Sequence, residues 1–405
     1  MPNRGNPYGT GGKLMAKRVG MEASFAIAEA VKLAETEVIA AYPITPQTHI
    51  VESLAEIVAN GGLDAEFICV ESEHSAMSAC IGSSAVGART FTATAGQGLE
   101  LMHEVLYVAS SSRLPIVMTV ANRALSGPLN VWGDHSDVMA ARDCGWIQCF
   151  AENAQEAFDL TLCAFKIAED PKVLFPVMVN LDGFFVSHVV EPLYILEKEE
   201  LEGFIPPLKY PFPLDPKHPV TMGAFAPPVL YSETKKAQEE ALRRTMGTIL
   251  SVWEEFGNRF GRRYQPVEAY RTEDADTLLL AIGSFAETAT VAVDELREKG
   301  EKVGLVRLRL WRPFPFAALR AAVKSARYLI VFDRCLSLGG PGGPLCSEIK
   351  SALYRELQKP KIFNFVGGMG GRDVTPEQFK EMILRGRELI DKKASIEYAT
   401  IGVRE

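Results

Sequence analysis

Short, nearly continuous apolar runs constrain this chain more than any other feature of its sequence. They include Pro115–Val120 (PIVMTV), the LLLAIGS run at 278–284 and Tyr328–Phe332 (YLIVF). Each is too brief for a membrane span, and Ala-rich stretches with helical spacing separate such runs along the chain. Strands that are apolar on both faces need helices on both faces, so the alternation predicts an α/β chain built on parallel sheets. The beat begins near Gly20. A helix is expected over Glu22–Glu35, a strand over Glu37–Ala41, a helical face at Ile50, Leu54, Ile57 and Val58, and a strand over Glu66–Val70. A helix then starts near Glu73, Thr90–Thr94 is extended and Leu99–Ala109 is helical. The strand at 37–41 runs into Tyr42-Pro43-Ile44-Thr45-Pro46, where two prolines stop it. That loop falls at a strand's carboxyl end, where ligands of open α/β sheets gather.

Downstream, a helix over Ala154–Ala168 and a strand over Val173–Val179 continue the pattern, and the proline-rich stretch 203–219 then reads as an extended crossover. Ser232–Phe256 reads as a long charged helix. A second beat follows, with a strand from Thr277, a helix over Glu287–Lys299 and strands over Val303–Arg309 and Tyr328–Phe332. The expected division is an arm at 1–19, an α/β domain at 20–202, the crossover and long helix at 203–264, and a second α/β domain at 265–405. The loop LSLGGPGGPL at 336–345 lacks the G-x-G-x-x-G spacing, which favours a tight packing turn over a nucleotide cradle.

Charge and cysteine usage exclude several function classes. The 51 acidic and 43 basic residues of this 405-residue chain give a formal charge of -8, without a long basic block, so nucleic acid is a poor partner. The polar, Gly-rich start MPNRGNPYGTGGKLMAKR and the lack of a long lipid-compatible stretch point to a cytoplasmic protein with no membrane span. Seven widely separated cysteines without a C-x-x-C pair suit neither a disulfide framework nor a zinc or iron-sulfur site, so no metal site is expected on this chain.

The strings AAYPITPQTHIVE, VESEHSAMSACIGSSAVGARTFTATAGQGLELMHE, SSRLPIVMTVANRALSGPLN, GDHSD, RDCGWIQ and PVMVNLDGF occur in this order. Together they closely resemble the alpha subunit of the pyruvate:ferredoxin oxidoreductase family, the 2-oxoacid:ferredoxin oxidoreductases. The likeness is strong from about Gly20 to Pro192 and continues through RPFPFAALR and GGPGGPL. It implies a thiamine-enzyme pyrimidine-binding domain followed by a domain like the transketolase carboxyl-terminal domain. The implied activity is CoA-dependent oxidative decarboxylation of a 2-oxoacid, with pyruvate leading to acetyl-CoA, carbon dioxide and reduced ferredoxin. A branched-chain or aromatic substrate, such as 2-oxoisovalerate or phenylglyoxylate, is the alternative, and a noncatalytic scaffold is a third reading.

By that resemblance Glu73 is the carboxyl group that hydrogen-bonds to the aminopyrimidine and promotes loss of the thiazolium proton. Thr45 and Arg123 are the substrate contacts, since a guanidinium can grip a carboxylate through two parallel hydrogen bonds. Glu71 is the weaker candidate for the acid, and Arg113, at the start of its strand, has no assigned chemistry. Thr92, Thr94, Gly96 and Gln97 form a bend after a strand that suits either an ordinary turn or close approach of the cofactor. Thr94, Gly96 and Gln97 are the candidate cofactor contacts alongside Glu73. Asp134, His135 and Asp137 look like a metal or acid-base cluster in isolation, with a local polar network as the competing reading, and His74 fits either packing or support of Glu73.

No G-D-G anchor for a cation-bound diphosphate occurs. The resemblance therefore implies thiamine diphosphate shared with a beta subunit that supplies magnesium, together with a gamma subunit and a ferredoxin-like delta subunit with [4Fe-4S] clusters, or fusions of these. Coenzyme A is the implied cosubstrate and ferredoxin the electron acceptor.

Overall fold

The computed structural model describes residues 17–404. Its first half runs β1 (Lys17–Glu22), α1 (Ala23–Leu33), β2 (Val38–Ala41), α2 (Thr48–Ala59), β3 (Glu66–Cys69), α3 (Glu73–Ala85) and β4 (Thr90–Thr94). It continues with α4 (Gly96–Leu101), α5 (His103–Ser111), β5 (Ile116–Asn122), α6 (Ser136–Ala140), β6 (Ile147–Phe150), α7 (Ala154–Glu169), β7 (Val177–Asp182) and β8 (Val190–Ile195). The long helix α8 (Pro228–Phe260) leads to β9 (Val267–Tyr270), β10 (Thr277–Ile282), α9 (Phe285–Glu298), β11 (Val303–Leu308) and β12 (Leu310–Arg312). The chain ends with α10 (Phe316–Val323), β13 (Tyr328–Asp333), α11 (Pro344–Leu353), β14 (Lys361–Val366), α12 (Pro376–Asp391) and β15 (Tyr398–Thr400).

Two sheets carry the fold. One has seven strands in the order β12-β6-β7-β5-β4-β2-β3, the other six in the order β15-β14-β13-β10-β11-β9. All neighbours are parallel except β12 on β6 and β9 on β11. Every residue of β4, β5, β7, β10 and β13 is buried, as strands covered on both faces require. Helix α7 shows the same pressure: thirteen of its sixteen residues are buried, because it lies between α1, α8 and the sheet.

Several elements differ from the sequence expectation, each for a local reason. Residues 17–19, placed with the arm, begin β1, which pairs antiparallel with β8 from Lys17 opposite Ile195 to Glu22 opposite Val190. Val19 and Met21 pack against the core there. The rest of the arm, residues 1–16, lies outside the described residues. The helix expected over 99–109 is two helices divided at Met102. The strand expected from Val173 begins at Val177, because the carbonyls of Val173 and Leu174 turn to accept hydrogen bonds from Arg113.

Helix α8 is longer than the stretch 232–256 and ends at Gly261, whose φ of 78° closes its last turn. Leu242, Ile249, Val252, Trp253, Phe256 and Phe260 form a buried stripe that runs from its middle to its end. β12 leaves the second half of the chain to extend the first sheet, with Leu310 opposite Cys149. No helix among the described residues is long and apolar enough to cross a membrane.

Candidate active site

The carboxyl ends of β2, β4, β5 and β7 lie side by side in the first sheet, and each runs into a loop that carries polar side chains. Glu73 approaches this edge from the first turn of α3. Ser72 precedes it in extended conformation and caps the helix, its hydroxyl accepting from the Ser75 amide at 3.2 Å. Glu73 is buried, at 5% exposure, at a helix start that favours negative charge. Its carboxyl group lies over Gly98. A Cβ at Gly98 would fall 2.7 Å from Glu73 Oε1 and 2.5 Å from Thr94 Oγ1, so only glycine lets both side chains pack this close to the backbone. Thr94 Oγ1 and Gln97 Oε1 are buried without a hydrogen-bond partner. Glu71 is exposed and accepts from the Ser75 hydroxyl at 2.7 Å, apart from this cradle.

Arg123 follows β5 directly. Its Nε donates to the Asn130 carbonyl at 3.0 Å and its Nη1 to the Thr45 carbonyl at 3.1 Å. The loop after β2 and the loop after β5 are thus brought together through a backbone carbonyl, while the Thr45 side chain belongs to an exposed residue. Burial pulls the Arg123 guanidinium below its ordinary value, and the negative charges of Asp137 and Glu73 oppose that shift. The two candidate residues are therefore within electrostatic reach of each other. Gly96 lies against Arg123 with φ at 47°, and a Cβ there would come within 3.0 Å of Arg123 Cδ.

The GDHSD segment divides into separate polar contacts. Asp134 accepts from the Ser136 amide at 2.9 Å and from the Gly370 amide at 3.0 Å. His135 Nε2 lies 2.8 Å from Asp182 Oδ1. Asp137 is fully buried and accepts from the amides of Gly96, Arg123 and Val138 and from Asn122 Nδ2. Burial pushes its carboxyl up to about 7, against the pull of those amides. No cluster of three or more metal-ligating side chains occurs among the described residues. Each of the three residues is held by its own polar partners.

Asp182, Arg334 and Gly98 escaped the sequence reading. Asp182 ends β7 and receives Arg334, His135 and the amide and hydroxyl of Ser284, which links the carboxyl ends of the two sheets. Burial pushes its carboxyl up, yet Arg334 and His135 outweigh burial and hold it well below the usual carboxylate range. No local motif marks a partner 152 residues away, whereas the GQG spacing after β4 was a usable signal for Gly98.

The GGPGGPL loop is a packing turn. Asp333 accepts from the Leu345 and Cys346 amides, and so fills the amino end of α11 where a phosphate would otherwise sit. A Cβ on Gly343 would overlap that carboxyl group. Arg113 lies at the opposite end of β5, bound to carbonyls and 4.1 Å from the centre of the Phe175 ring.

Residues 29–252 match the family model described as pyruvate flavodoxin/ferredoxin oxidoreductase, thiamine diP-bdg, and residues 275–379 match pyruvate:ferredoxin oxidoreductase core domain II. A pyruvate synthase subunit PorA of Methanocaldococcus jannaschii is 52% identical over 88% of this chain and 92% of its own length. A ketoisovalerate oxidoreductase subunit VorA of Pyrococcus abyssi is 44% identical over 91% of this chain and 93% of its own. Among solved structures, a 2-oxoglutarate:ferredoxin oxidoreductase from Magnetococcus marinus matches 93% of this chain with a TM-score of 0.68 and 21% identity, and this chain spans 66% of that one. A split-gene transketolase matches 92% of this chain and 99% of its own with a TM-score of 0.54 and 13% identity. The last two likenesses concern the fold, which is of the thiamine-enzyme and transketolase type.

Proposed function

The chain belongs to the pyruvate:ferredoxin oxidoreductase family, and from that premise we propose that it is the alpha subunit of a CoA-dependent pyruvate:ferredoxin oxidoreductase. The pyruvate synthase relative, at 52% identity against 44% for the ketoisovalerate relative, favours pyruvate over a branched-chain substrate. The observation that carries the reading is the cradle of Glu73, Thr94 and Gly98 beside Arg123. A buried carboxyl group packed on a glycine, with an unpartnered hydroxyl and amide oxygen nearby, suits the aminopyrimidine end of thiamine diphosphate. Bound there, the cofactor supplies a carbon nucleophile for the 2-oxo carbon.

The chain's own residues prepare that chemistry. Glu73 exchanges a proton with a ring nitrogen, in a buried setting where a general acid-base group contributes about 10²- to 10⁴-fold. Arg123, with Nε and Nη1 fixed by backbone carbonyls, presents Nη2 to the substrate carboxylate, and the Thr45 hydroxyl adds a neutral donor. Gly96 and Gln97 border the cofactor. The diphosphate and its magnesium belong to a beta subunit, and the [4Fe-4S] clusters that pass electrons to ferredoxin to a ferredoxin-like delta subunit. A gamma subunit, or fusions of these chains, completes a cytoplasmic complex.

Replacing Arg123 with Leu in the purified complex tests this reading. An unpaired charge left in a binding site costs about 2 to 5 kcal/mol, so KM for pyruvate is expected to rise by more than tenfold while thiamine diphosphate affinity changes little. An unchanged substrate dependence would remove Arg123 from the site.

A further inference from the structure

We infer that Asp137 is a positioning residue, which sets the distance between the substrate-binding guanidinium and the cofactor bend by holding the Arg123 and Gly96 amides on one carboxylate oxygen. The inference rests on the proposed roles of Arg123 and Gly96. Oδ2 accepts from the Gly96 amide at 3.0 Å and from the Arg123 amide at 2.9 Å. Oδ1 accepts from the Val138 amide at 2.7 Å and from Asn122 Nδ2 at 3.1 Å. Gly96 is the first residue of α4, just past the end of β4, Arg123 opens the loop after β5, and Asp137 lies in the first turn of α6. One buried side chain thus ties together three elements that meet at the site.

The chemistry of the junction is specific to a carboxylate. All four partners are donors and favour the ionised carboxylate, acceptor-only at both oxygens, against the burial that raises its pKa. An asparagine of the same shape would turn an NH2 group toward the Gly96 and Arg123 amides or, flipped, toward the Val138 amide, so it breaks the junction without changing the volume. Slack here is transmitted directly, because the Gly96 backbone already lies against the Arg123 side chain.

The test is a double-mutant cycle on the purified complex with Asp137→Asn, Arg123→Leu and both together, reading KM and kcat for pyruvate and the dissociation constant of thiamine diphosphate. Asp137→Asn is expected to raise KM about tenfold and weaken thiamine diphosphate binding about threefold, with a smaller effect on kcat. In the Arg123→Leu background it should add nothing to KM, since its effect on substrate passes through Arg123, yet still weaken the cofactor. Multiplying effects on KM, or an intact Asp137→Asn complex with wild-type KM and cofactor affinity, would overturn the inference. Unchanged KM in Arg123→Leu alone would sink the underlying role of Arg123 instead.

Amide exchange on the wild-type complex provides a measurement that does not depend on a variant folding. The Gly96 and Arg123 amides should exchange as slowly as those inside β4 and β5. Exchange of either at the rate of an open loop would show that the carboxylate does not hold it.

Discussion

Arg123 illustrates how much of a site lies in the backbone. Its guanidinium is aimed by the carbonyls of Asn130 and Thr45, so the backbone of Thr45 orients the arginine while its hydroxyl remains available to a substrate. Thr45→Ala keeps the carbonyl and removes only the hydroxyl. A hydrogen bond to a charged group is worth about 1.5 to 3 kcal/mol, so KM for pyruvate should rise about ten- to a hundredfold, less than for Arg123→Leu. Steady-state kinetics of the two variants checks the order, and a Thr45→Ala defect as large as that of Arg123→Leu would mean that the loop itself had moved. The sequence singled out Thr45, Glu73 and Arg123 because their surroundings resemble known motifs. It did not separate the tasks of Asp134, His135 and Asp137, since three polar residues entering a short helix read alike whether they converge on a metal or point to three different partners.

At the scale of elements, apolar content made the strands easy to place and long-range pairing did not. β5, β10 and β13 are buried on both faces and stand out as apolar runs, but nothing local announces that β1 pairs with β8 or that β12 joins the first sheet. The junction between the sheets depends on another such pairing, Asp182 with Arg334, His135 and Ser284. Asp182→Asn leaves Arg334 buried without its counter-charge, which should cost about 3 to 5 kcal/mol at neutral pH. The folded pKa of Asp182 lies below its unfolded value of about 3.9, so the stability it contributes is complete above that value and is lost as pH falls through the folded one. Unfolding curves of the wild type and the variant should therefore converge as the pH falls below about 4. A gap that stays constant down the acid limb would show that the ion pair is not its source.

On the proposed reading, the whole molecule is a scaffold for part of an active site. Its two sheets turn their carboxyl ends toward one another, and the first presents a buried carboxyl group and a guanidinium at that edge. The family and the α/β fold were legible in the sequence through the motifs present, whereas the stitching of the two halves through Asp182, Gly370 and β12 required the fold. The central claim is that this chain gives the activating carboxyl group, Glu73, to a thiamine diphosphate site completed by a partner. The most direct measurement is C2 proton-deuterium exchange of thiamine diphosphate in the assembled complex, comparing wild type with Glu73→Gln at equal cofactor occupancy and subunit stoichiometry. Glutamine keeps the size of the side chain and can still hydrogen-bond to a ring nitrogen, but it cannot exchange the proton. Exchange in the variant is expected to be slower by about 10²- to 10⁴-fold with the complex intact. Near-wild-type exchange would contradict the claim and place the activating group elsewhere.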